Sequence, residues 1–265
     1  MMTLYRQELT KLFKKKSTIW CGLILATVAL IFAILARIKP TIFPAKTMFA
    51  ANFEAQQFIV FFMVAVAATM ITMEFQFGTI KHVLTQRYSR PLVLVSKWLV
   101  LLTYSLLLYV GSSLFAILLK VCLVNDKFAI FTRAKFWHDW LAGVGGEFLN
   151  TWLLLSLVLL IAALFKSSGA AVAVGIIGYF VLGMVNIPMI ALIRKYTWLK
   201  WNPLNMFNFS AQLGLPTLSK ITKLTDVQLF WGNLAYIILF LVLGLLFFRR
   251  REVWTVTVWS TASKY

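Results

Sequence analysis

Side chains able to do covalent chemistry or hold a metal are scarce in this 265-residue sequence: two histidines, His82 and His138, two cysteines, Cys21 and Cys122, and eight carboxylates. A zinc site needs three or four converging ligands, commonly at short spacing. An activated nucleophile needs a base within hydrogen-bond reach. The histidines fall far apart, and the cysteines sit inside separate apolar runs, so neither pair points to a metal site or a disulfide framework. No Ser-based elbow, no His-Glu-x-x-His and no Walker A sequence occurs. A membrane hydrolase or self-contained ATPase has almost nothing to work with, and any energy source must be another chain.

One carboxylate stands out. Glu147 lies in an otherwise uncharged stretch over 140–165, beside Gly143, Gly145 and Gly146. An ionisable residue at membrane depth is a functional candidate by default. Its place near one end of that stretch also lets it reach headgroups or pair with a basic neighbour, so a substrate or gating role competes with a plain structural one. Pro188, in a later apolar run punctuated by Gly169, Gly175, Gly178 and Gly183, is the second gating candidate, because small residues and proline let helices approach or bend.

Two polar stretches could meet a partner. Residues 3–16 place Tyr5, Leu9, Leu12 and Phe13 at helical spacing, while Arg6, Glu8, Lys11, Lys14 and Lys15 fall mainly elsewhere. That pattern predicts an amphipathic interfacial helix over 1–16. The second is MEFQFGTIKHVLTQRYSRPLVLVSKWLV over 73–100. There Phe77, Ile80 and Leu84 make one apolar face, and Thr79, Lys81, Gln86 and Arg87 are displayed to water or a partner. A basic loop obeying topology rules accounts for it equally well.

The elements that position these residues follow from hydropathy. With 61% hydrophobic and 13% charged residues and a mean hydropathy of +0.86, a water-soluble fold is excluded. Six apolar stretches, about 17–36, 55–73, 92–119, 141–165, 168–193 and 228–248, reach the length of about 20 residues that crosses a bilayer. Runs this long without alternation exclude a barrel. The expected fold is an all-α polytopic membrane protein, a single transmembrane domain over 1–265. Residues 194–226 mix Trp198, Trp201, Phe207 and Phe209 with Asn202, Asn205, Asn208 and Gln212. Such a composition suits a segment in the interface or dipping back into protein.

Lys14, Lys15 and Lys16 before the first span and Arg249, Arg250 and Arg251 after the sixth put both termini on one side, the cytoplasm by the positive-inside rule. Basic residues are nearly as frequent on the other side, so the weight rests on the tight clusters. The net charge of +18 fits anionic headgroups and, without a polar domain, not nucleic acid.

The N-terminal segment with Glu8 and Lys11, the six spans, and a Glu-x-x-x-Gly-Thr-x-Lys pattern at Glu74, Gly78, Thr79 and Lys81, followed by Ser89, Arg90 and Lys97, together resemble an ABC-2 type transporter permease of a bacterial exporter. The resemblance implies a permease that pairs with a second copy or a related permease in the cytoplasmic membrane. It implies separate ABC ATPase subunits that carry ATP and Mg²⁺, with no cofactor on this chain. The short helix between spans 2 and 3, within Glu74 to Arg90, would be the coupling helix, with Glu74 ending span 2, Gly78 and Thr79 starting the element, and Lys81, Arg87 and Arg90 at the ATPase surface. The N-terminal helix, with Tyr5, Glu8 and Lys11, would be the connecting helix beside it. The tail over 252–265 is longer than the family leads one to expect. Export of an antimicrobial peptide or similar amphipathic compound is the favoured function. Polysaccharide or sodium ion export, and a non-transporting scaffold or sensor, are the alternatives.

Overall fold

The computed structural model describes residues 2–76, 90–126, 134–165 and 167–250. Gly78, Thr79, Lys81, Arg87, the expected coupling helix and the 252–265 tail lie outside the described residues.

Helix α1 (Met2–Lys14) precedes α2 (Lys16–Ile38), the short α3 (Ala45–Ala50), α4 (Ala55–Gln76), α5 (Arg90–Leu123), α6 (Ala134–Ala162) and α7 (Ser168–Lys195). A run of short elements follows, with α8 (Pro203–Met206), α9 (Phe209–Gly214) and α10 (Ser219–Thr222) among 3-10 turns, and α11 (Asp226–Arg250) closes the described chain. Among the described residues six helices are long and apolar enough to cross a membrane: α2, α5, α6, α7, α11 and α4 together with α3.

Helix α6 forms the centre, packed on α4, α11 and α9, while α4 also packs on α5 and α7 and α2 lies on α5. Why α2 can lie close is visible in its buried residues, Leu25, Ala29, Ala33 and Ala36, a stripe that is mostly alanine at helical spacing. Its other face, with Trp20, Leu23, Ile31 and Ile34 exposed, is as apolar as the lipid it would meet. Helix α7 buries little of its surface and approaches α4 through Gly175, where a Cβ would come within 2.7 Å of Val64 Cγ1. Gly178 and Gly183 have open space around them, so only one of the span's glycines named for close approach is used that way by α4.

The turn between α3 and α4 is made without glycine. Asn52, Phe53 and Glu54 have φ of 50°, 51° and 64°, a left-handed turn that costs about 1–3 kcal/mol per residue and persists only where its surroundings fix it. Here the buried Asn52 amide donates to Ser113 Oγ at 2.9 Å and accepts from Trp140 Nε1 at 3.2 Å. Phe49 stacks on Trp140 with ring centroids 5.2 Å apart, and Phe53 meets Phe49 edge-on.

Residues 196–225 fold back onto α6 and α11, and the amides are what make this possible. In an apolar setting every backbone polar group needs a partner. Asn205 Nδ2 donates to the Lys200 and Thr222 carbonyls, Gln212 Nε2 to the Leu224 carbonyl, and Asn233 Nδ2 to the Met206 carbonyl. The close approach needs Gly146 on α6, where a Cβ would lie 3.2 Å from Ser210 Cα, and Gly232 on α11, where it would lie 2.4 Å from Met206 Sδ.

One helix runs past its expected span, and one inward face differs from the expected stripe. The fourth long helix begins at Ala134 rather than near 141 and ends at Ala162, because Lys135, His138 and Asp139 are compatible with helix though not with hydrocarbon. On α1 the buried line is Leu4, Glu8 and Leu12, with Phe13 exposed. The inward face is rotated from the expected apolar stripe, and it includes a carboxylate.

Candidate functional site

The carboxylate on that inward face explains the rotation. Glu8 accepts from Lys97 Nζ at 2.9 Å and from Lys11 Nζ at 2.6 Å. Lys97 is 3% exposed and Glu8 7%, so the Glu8–Lys97 pair is shielded from water, while Lys11 stands largely outside. Tyr5 adds a hydroxyl contact to Thr103 at 2.8 Å. All three expected connecting-helix residues therefore take part in fixing α1, and two of them hold α5.

Burial pushes the Glu8 carboxyl up, but the Lys97 charge and the hydrogen bonds from Lys11 and Lys97 outweigh it, and its pKa is held below the ordinary glutamate value. A depressed folded-state pKa means the stabilisation is complete above the unfolded value of about 4.3 and is lost as pH falls through the lower folded value. Proteolysis within α1 is expected to stay slow from neutral pH to about 5 and to accelerate only in more acidic buffer, as read throughout with an acid-active protease. Glu8→Gln should flatten the profile.

This clamp sits beside the two ends of the connection expected to hold the coupling helix. Glu74 belongs to the last turn of α4, and Arg90 opens α5. Lys97 follows Arg90 by about two helical turns, roughly 10 Å along the axis. Whatever displaces the start of α5 therefore acts on α1 as well.

A second constellation lies towards the opposite end, where α4, α6 and α7 enclose a cavity of ≈ 550 Å³. Glu147 lines it together with Asn150, Gln57, Tyr179 and Asn186. Glu147 is the fourteenth residue of α6, counting from Ala134, so it stands mid-helix, though only eight positions after Asp139 and thus still towards one end of the apolar stretch. No basic residue among the described ones pairs with it. Ser210 of α9 donates to its Oε1 at 2.5 Å. Tyr179 OH donates to Gln57 Oε1 at 2.9 Å, Asn150 Nδ2 to the Phe207 carbonyl at 2.9 Å, and Asn186 Nδ2 to Asn208 Oδ1 at 2.7 Å. Pro188 is inside α7 without ending it. Having no N–H, it leaves the carbonyl of Met184, a cavity residue, without its i+4 donor.

Gln57, Asn150, Tyr179 and Asn186 went unmarked in the sequence. Their signal was available: each is a polar side chain within or at the edge of an apolar run. Among the described residues no three His, Cys, Asp or Glu side chains gather into a possible metal site.

Residues 4–186, more than half of the chain, match a family described as ABC-2 family transporter protein. Among curated proteins none matches.

Proposed function

Because the chain belongs to the ABC-2 family of transporter proteins, a family of multi-pass membrane subunits that associate with an ABC ATPase, we propose that it is the permease of an ATP-driven exporter of amphipathic or hydrophobic compounds, such as antimicrobial peptides. In this reading it resides in a bacterial cytoplasmic membrane with both termini inside. Two permease copies pair there with two ATPase subunits, which carry ATP and Mg²⁺.

The observation that carries the reading is the buried Glu8–Lys97 pair. It joins the interfacial helix to the span that leaves the 77–89 connection, so an ATPase pressing on Glu74, Gly78, Thr79, Lys81, Arg87 and Arg90 moves α1 and α5 as one lever. Such a push can switch the bundle only if it favours one of two packings over the other. The scarcely buried α7 and the apolar outer face of α2 are the surfaces offered to lipid or to the second copy, and with α4 they would line the path between protomers. Apolar walls favour an amphiphile over a bare ion. Glu147 and Pro188 are the substrate or gating positions.

The test is purification with the ATPases encoded beside it. A stable complex whose ATP hydrolysis responds to the permease supports the reading. Gly78→Trp and Glu74→Lys are expected to abolish that response and transport while the unfolding temperature of the bundle stays put. Transport unchanged in both variants, or no ATPase that binds, would overturn it.

A further inference from the structure

We propose that the cavity around Glu147 is a binding site for a single-chain amphiphile carrying one primary ammonium group, with the Glu147 carboxylate as its counter-charge. The polar groups of the wall are unequally engaged. Four of the donors around it are engaged: the Ser210 hydroxyl by Glu147, the Tyr179 hydroxyl by Gln57, and one N–H each of the Asn150 and Asn186 amides by Phe207 and Asn208.

Acceptors remain. Asn150 Oδ1 is buried without any hydrogen-bond partner, Glu147 has no cation beside it among the described residues, and Pro188 has removed the helical donor from the Met184 carbonyl. A buried acceptor left unmatched is costly, and an ammonium offers three donors and the missing positive charge in one group. A carboxylate or phosphate headgroup would instead meet Glu147 with like charge.

The rest of the cavity sets the tail. Val60, Leu154, Leu182 and Phe207 line it, and ≈ 550 Å³ lies within the range of small-molecule sites. Phe180, Met184 and Ile187 line it too and are exposed on α7, so the mouth opens sideways towards the hydrocarbon, where an amphiphile already resides. Gln57 stands exposed at the rim.

The proposal rests on the transport reading only in treating the ligand as cargo. Binding itself needs no ATPase, so the two fail separately. The protein is placed in phosphatidylcholine nanodiscs and titrated with dodecylammonium, with empty discs as the partition blank. One saturable site is expected, unaffected by dodecanol or dodecanoate. Glu147→Gln, which keeps the shape and an acceptor for Ser210, should weaken it about tenfold or more, the scale of a desolvated charge pair. Gly183 lines the cavity and a Cβ added there meets no atom within 4 Å, so Gly183→Leu should intrude on the cavity and weaken binding while the fold, checked by circular dichroism and melting, is retained. No saturable binding, or equal binding by Glu147→Gln, would overturn the proposal. Displacement of dodecylammonium by phosphatidylethanolamine would give the site to a lipid headgroup and overturn the single-chain occupant.

Discussion

Lys97→Met is expected to release α1 from the bundle and to lower its stability by about 3 kcal/mol, the low end of what breaking a buried ion pair costs. The low end applies because Glu8 keeps Lys11, which approaches it from the exposed side at 2.6 Å. The loss should appear as rapid trypsin cleavage at Arg6, Lys11 and Lys14 and as a lower unfolding temperature in detergent. Replacing both partners, Glu8→Leu with Lys97→Met, should recover most of the stability, since an apolar pair of similar volume is often as good as a buried ion pair. Retained stability in Lys97→Met alone would mean that packing of Leu4 and Leu12, not the ion pair, fixes α1.

The double variant also separates stability from switching. An apolar pair holds α1 in place but tolerates sliding, whereas a charge-assisted hydrogen bond of 2.9 Å is directional. If α1 and α5 must move together when the ATPase pushes, the double variant keeps its unfolding temperature and loses part of the ATPase response.

The spans were legible because crossing a bilayer is a one-dimensional demand, for length and for apolar side chains, and both are written along the chain. Helix ends were less so. The rule that started the fourth span near 141 concerns lipid depth, and Lys135 and Asp139 satisfy a helix perfectly well outside it. The inward turn of Glu8 could not be read locally, because amphipathic patterning sends every carboxylate to water and the lysine that reverses this is 89 positions away. The left-handed turn at Asn52 is hidden for the same reason: Ser113 and Trp140, which hold it, come from other helices. Glu147 was visible as an anomaly, but its partner Ser210 belongs to a segment whose composition announced only that it leaves the regular helices. The Glu74 to Arg90 element was read from a motif, and its central residues stand outside the described structure.

Gly146→Leu tests whether that returning segment builds the Glu147 site or merely lies near it. A Cβ at Gly146 would come within 2.8 Å of Leu213 Cδ1 and 3.2 Å of the Ser210 backbone. The leucine tip could rotate aside, but the backbone of α9 can only move as a unit. Overpacking of this kind costs about 1–3 kcal/mol or more, and here the displacement carries Ser210 away from the carboxylate it now holds at 2.5 Å. The expected result is a lower unfolding temperature together with lost dodecylammonium binding. Gly143 and Gly145, neighbours on the same helix, have nothing within 4 Å of an added Cβ. Gly145→Ala should therefore leave both properties intact, or stabilise the helix by about 0.5–1 kcal/mol. If Gly146→Leu and Gly145→Ala behave alike, the close contact between α6 and α9 is not what shapes the cavity, and Glu147 must be held in place from α4 and α7 alone.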